Sequence, residues 1–190
     1  MEAAERNAIA FRYDEFSFIA LTTPLIFAIS DVCLLLSKSE TIAAQLGVRW
    51  SEDEYGALHA ALFEILIAFV VGHEWAHHVH GHVIDDSSLL PNEILGIGAG
   101  SLQDQIKEVV ADGYSAHYAL YNLIRGSGRS LILKHLGIDS GQPGLQDRVL
   151  FALLVVAVGI MPVVLQGLRA CPSLRGQKLI IKMSLFYKNV

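Results

Sequence analysis

His73-Glu74-Trp75-Ala76-His77 sets two imidazoles four residues apart inside an apolar, helix-like run. On an α-helix such residues lie about 40° apart around the axis, one turn above each other. Both rings can then bind one metal ion, and Glu74 projects beside them, within reach of a water in the remaining position. A zinc hydrolase needs this set: two neutral nitrogen ligands, an open position and a base. A third ligand is offered downstream, where Ser101 and Asp104 have the spacing of a capping box that opens a helix. Glu108 and Asp112 share one face of that helix with Asp104 and Ser115. Glu108 can complete a His/His/Glu set, and Asp112, one turn on, can accept a hydrogen bond from the outer N–H of a ligand histidine and so fix its tautomer. The competing reading makes Glu108 and Asp112 a solvated face paired with Lys107 or Arg125. An H-E-x-x-H upstream tips the balance towards Glu108 as a ligand.

Five of the eight histidines fall between His73 and His82. His80 lies one turn beyond His77 and is the rival third ligand. His82 follows Gly81, a helix-stop signal, and reads as part of an exit loop. His78, His80 and His82 together read as a polar helix end lining a cleft, whereas His59, His117 and His135 stand alone and are assigned no role. A second electrophile for an oxyanion is not evident on the Glu108 helix, where Tyr114, Tyr118 and His117 are rotated away from Glu108. Arg175, Tyr187 and His82 are the candidates.

His73-Glu74-x-x-His77 followed by Glu108-Val109-Val110-Ala111-Asp112 resembles the gluzincin pattern H-E-x-x-H … E-x-x-A-D. It is similar to that of the Ste24/HtpX-like metallopeptidases and, in compact form, of the Lit-type phage-exclusion peptidases of bacteria. Cys171-Pro172-Ser173-Leu174-Arg175 looks like a degenerate form of their His-Pro…Arg segment, with cysteine where histidine is usual. The resemblance covers residues 51–175. It implies a zinc-dependent peptidase acting on a protein or peptide, with Zn2+ on His73, His77 and Glu108, Glu74 as the catalytic base and Asp112 behind a ligand. It also implies a bacterial host and a defence role against phage, with a protein such as elongation factor Tu as target. Two rivals are a metal-binding regulatory protein without turnover and a membrane-embedded HtpX-like peptidase. The presence of Glu74 argues against the first, because metal binding alone does not require a base.

Composition bounds the remaining choices. The 190 residues fit one domain able to bury a real core. With 14 basic against 19 acidic residues and no basic block, the chain lacks the electrostatic footprint of a nucleic-acid binder. Cys33 and Cys171 form neither a disulfide framework nor a zinc knuckle. The 53% of apolar residues is concentrated in three stretches. Residues 16–36 are broken by Thr22, Thr23, Pro24 and Asp31, and 58–72 contain Glu64 and run into the metal motif. Residues 149–165 are uncharged and sit at the lower edge of what spans a bilayer, about 17–25 residues, but Gly159 and Pro162 interrupt them. Arg169, Arg175, Lys178, Lys182 and Lys188 would hold their C-terminal side in the cytoplasm and the metal motif outside. The expectation is a buried helix and a cytoplasmic protein, with membrane association as the alternative. Between the two motifs, residues 83–100 are too short for a helical hairpin across a bilayer, which takes two spans of about 20 residues.

These elements must position the site. Residues 1–14 are polar and read as a leader or helix start, and 16–38 as an apolar helix or broken helix pair. Ser51 and Glu54 form a second capping box opening the metal-binding helix, which runs to about His80. Residues 83–100 read as a loop with turn residues. The glutamate helix spans about 102–123, a short helix 129–136, and a long apolar helix about 145–168, with an edge strand admissible at 179–181. The expected fold is mostly α: a compact, zincin-like single domain over 1–190, its H-E-x-x-H helix packed on a glutamate-bearing helix, with few or no strands.

Overall fold

The computed structural model describes residues 8–13, 16–46, 55–83, 102–126, 128–138, 141 and 143–170. Among them the order is β1 (Ala8–Tyr13), β2 (Phe16–Leu21), α1 (Thr23–Ser37), α2 (Glu40–Leu46), α3 (Tyr55–Val79), α4 (Leu102–Arg125), α5 (Gly128–His135) and α6 (Pro143–Ala170). The fold is mostly α, with the H-E-x-x-H helix packed on the glutamate helix. The organising element is α3, which packs against α1, α4, α5, α6 and both strands. Its buried residues Leu58, Ala61, Leu62, Ile65, Leu66, Phe69, Gly72 and Ala76 recur at three- and four-residue intervals, the stripe that drives a helix into a core.

The N-terminus departs from the expectation. Where the sequence reads as a polar leader and then an apolar helix, β1 and β2 form an antiparallel hairpin pairing Ala8 with Leu21 through Tyr13 with Phe16. Phe-Ser-Phe-Ile-Ala-Leu is rich in strand-favouring side chains, and the more buried of its residues, Ile19 and Leu21, alternate as a half-buried strand requires. Phe11 and Phe18 stack across the pair with centroids 5.3 Å apart, while Ala8 and Leu21 pack on the core. The helix begins after this, at Thr23. Pro24 sits in its first turn, where a missing N–H costs nothing. His78 fastens the hairpin to α3 by donating from Nε2 to the Phe18 carbonyl at 2.9 Å.

In α6, Val149, Leu150, Leu153, Leu154, Val156, Ala157 and Ile160 are buried, so residues 149–160 form a core face. Arg129 ties α5 to α6 through Asp147 at 2.8 Å and Gln146 at 3.1 Å. Among the described residues the helix long and apolar enough to cross a membrane is α3, with a mean hydropathy of 1.8 over an 18-residue stretch of which 44% is buried. Length and composition do not separate a core helix from a span. Ser51, Glu54 and Ser101 of the two capping boxes lie outside the described residues, as do 84–100, the 171–175 segment, Tyr187 and the 179–181 strand.

Val156 is 4% exposed and Phe151, on the same helix, 58%. Val156→Lys should therefore lower stability by several kcal/mol through an unpaired buried charge. Phe151→Lys should stay within about 0.5 kcal/mol. Denaturant unfolding of the two variants beside the wild type measures both.

Candidate metal centre

The site is set by how closely α3 and α4 approach. Along their seam the buried residues are small: Gly72 and Ala76 on α3 face a helix whose buried positions include Ala111, Ser115 and Ala119. A Cβ on Gly72 would lie 3.1 Å from Ser115 Oγ and 3.2 Å from Tyr118 Cδ1, so even an alanine there requires Ser115 or Tyr118 to give way. The Ser115 hydroxyl donates to the Phe69 carbonyl across the same seam. One turn beyond this contact, α3 presents His73 and His77, and α4 presents Glu108 and Asp112.

The four side chains converge. His73 Nε2 lies 3.1 Å from His77 Nε2 and 3.2 Å from Glu108 Oε2, and His77 Nε2 lies 3.7 Å from Glu108 Oε1. Three ligands of a tetrahedral ion with bonds of about 2.0–2.1 Å stand about 3.3–3.4 Å apart. The observed separations bracket that value, so the His73, His77 and Glu108 group can hold a metal ion, and it is the group of this kind among the described residues. The histidines are 18% and 17% exposed and Glu108 60%, so the centre opens to solvent on the carboxylate side. His80, the rival ligand, is not in the group; its ring meets Tyr114 edge-on at 5.8 Å.

Both imidazoles of this group have a partner on their outer nitrogen. Asp112 Oδ1 lies 2.9 Å from His73 Nδ1, and His82 Nδ1 lies 3.3 Å from His77 Nδ1. The second contact was not foreseen from the sequence, although Gly81 carries its signal. Glu74 points to the hairpin side, where the Ala10 main-chain N–H donates to its carboxylate. That partner was missed too, because β1 was.

Electrostatics follow the geometry. Burial pulls the His73 imidazole down, but hydrogen bonds to Asp112 and Glu108 outweigh it, and its pKa rises to about 10. Hydrogen bonding to His73 holds the Glu108 carboxyl below its usual range despite burial. His77 is pushed down by burial, with Glu108 opposing and His73 and His82 adding to the shift. Burial raises Glu74; His73 and the Ala10 N–H counter it, and Glu108 reinforces it. His82 is lowered by burial and by His80 and Lys107. Lys107 itself pairs with Asp104 at 3.4 Å, not with Glu108 or Asp112.

No protein-family model, curated protein or solved structure matches this chain. The site is therefore read from its own geometry.

In the metal-free chain the His73 proton stabilises the fold in full below its ordinary value of 6.5, and that contribution is lost as pH rises through about 10. The stability gap between wild type and Asp112→Asn should accordingly be largest at the acid end of that window and close at its alkaline end. Denaturant titrations at several pH values measure it, and a gap independent of pH would contradict the assignment. Asp112→Asn should also weaken metal binding about 10–100-fold, the scale for a partner behind a ligand.

Proposed function

We propose that this protein is a zinc-dependent peptidase. The observation that carries the reading is the convergence of His73 and His77 of α3 with Glu108 of α4, with Glu74 next to His73 on α3. Two imidazole nitrogens and one carboxylate oxygen with an open side are the donor set of a catalytic zinc site. His73, His77 and Glu108 would hold the ion, which when bound supplies Lewis acidity that acidifies water and polarises a carbonyl.

The chain's own residues supply the rest. Glu74, its carboxyl raised by burial, is the group that takes a proton from the attacking water and hands it to the leaving amine. A raised carboxyl does this better than an ordinary one, because its pKa lies nearer the operating pH. The Ala10 N–H occupies one side of that carboxylate and limits its rotation. Asp112 accepts from His73 Nδ1, which leaves the Nε2 lone pair directed at the centre. Metal binding alone would need none of the proton-transfer apparatus, which favours an enzyme over a silent metal protein. A protein or peptide substrate, and a place in bacterial phage defence, are supported by the resemblance of the two motifs to gluzincin and Lit-type peptidases. A cytoplasmic setting, with membrane association as the alternative, belongs to the same proposal and is supported by the positive-inside argument from the sequence.

Glu74→Gln should keep its metal and lose about 10²–10⁴-fold in hydrolysis, the range for a general base. The assay is elemental analysis of the purified variant beside cleavage profiling of a bacterial proteome with variant and wild type. A Gln variant that cleaves like the wild type would contradict the assignment of Glu74.

A further inference from the structure

Helix α3 ends in a Schellman cap. Gly81 adopts φ +68, a conformation that glycine takes without penalty. Its N–H bonds the His78 carbonyl at 3.2 Å, and the His82 N–H bonds the His77 carbonyl at 2.8 Å. This pair of bonds brings the residue after the glycine back over the residue five before it. Ordinarily two apolar side chains meet there. Here the two are imidazoles, His77 and His82, with ring centroids 5.4 Å apart and Nδ1 atoms 3.3 Å apart.

We propose that His82 is a positioning residue for His77, accepting the His77 Nδ1 proton and so holding the His77 Nε2 lone pair towards the metal centre. This rests on the metal-site reading above. The tautomers follow from the geometry: His77 Nε2 faces His73 Nε2 and Glu108. A neutral imidazole that offers Nε2 as a ligand must carry its proton on Nδ1. The atom facing that proton is His82 Nδ1, which must be the acceptor, so His82 carries its own proton on Nε2. The two ligand histidines are thus held from behind by different means. Asp112 reaches His73 from the neighbouring helix, and His82 reaches His77 from the cap of its own. The cap makes the second contact nearly local, since both the main-chain bond and the side-chain bond join the same two residues.

The test compares full-length wild type, His82→Leu and His82→Asn by zinc titration against a chromophoric chelator. Nitrogen-15 NMR of the metal-free proteins reads the His77 tautomer. Leucine keeps the apolar contact usual for the cap but accepts nothing, whereas the asparagine amide oxygen can stand where His82 Nδ1 stands. His82→Leu should bind zinc about 10–100-fold more weakly and lose the excess of the Nδ1–H form of His77. His82→Asn should recover both. Leucine binding as tightly as wild type, or asparagine as weakly as leucine, would overturn the proposal while leaving the metal site standing. So would a wild-type His77 protonated on Nε2. A folded wild type that binds no zinc would overturn the metal reading and this proposal with it.

Discussion

Glu108 reaches two imidazoles on another helix because α3 and α4 approach closely, and that approach depends on side chains that are nearly absent. Gly72 and Ala76 on one helix and Ala111, Ser115 and Ala119 on the other form the seam. A glutamate side chain is short, and widening the seam by one methyl group at Gly72 would already meet Ser115 and Tyr118. The Ser115 hydrogen bond to the Phe69 carbonyl fixes the same crossing from the polar side. Among the described residues, His73, His77, Glu108 and Asp112 all lie close to that contact. The surrounding helices support it: α1, α5 and α6 also pack on α3, and their apolar residues share one core with it.

The same convergence governs the electrostatics. Three carboxyl groups, Glu74, Glu108 and Asp112, surround two imidazoles in a partly buried site. Without a cation between them this is costly, and the metal-free chain meets the cost by protonating His73, whose pKa rises to about 10. A metal ion must displace that proton, so binding should release it and strengthen as pH rises. The two histidines share one helix face but not one character. His73, flanked by Asp112 and Glu108, holds a proton tightly, whereas His77 is pushed down by burial first, and then by His73 and His82. One of the two is thus ready to ligate and the other must first give up its charge.

Much of the site was legible in the sequence because it is written on two helices, whose period places residues four apart on one face. The pairing of His73 with His77 and of Glu108 with Asp112 needed no more than that, and the structure brings these residues together across the seam. What was illegible depends on tertiary or capping geometry. Residues 16–38 read as an apolar helix or broken helix pair because Phe, Ile, Ala and Leu suit a buried helix or a strand. The discriminating signal was the Thr22-Thr23-Pro24 break, at which α1 begins. With the hairpin missed, neither the Ala10 N–H on Glu74 nor the anchoring of His78 to Phe18 could be foreseen. His82 was read as an exit-loop residue, although Gly81 as a helix stop already implied that its successor folds back over His77.

The central claim is that His73, His77 and Glu108 bind one zinc ion together, and X-ray absorption at the zinc edge tests it most directly. Protein purified without added metal should contain about one zinc per chain, with two imidazole nitrogens and a carboxylate oxygen at about 2.0–2.2 Å. His73→Ala and Glu108→Ala should each remove that signature while leaving the fold intact. A folded wild-type chain without zinc, or a zinc shell lacking the imidazole pair, would contradict the account.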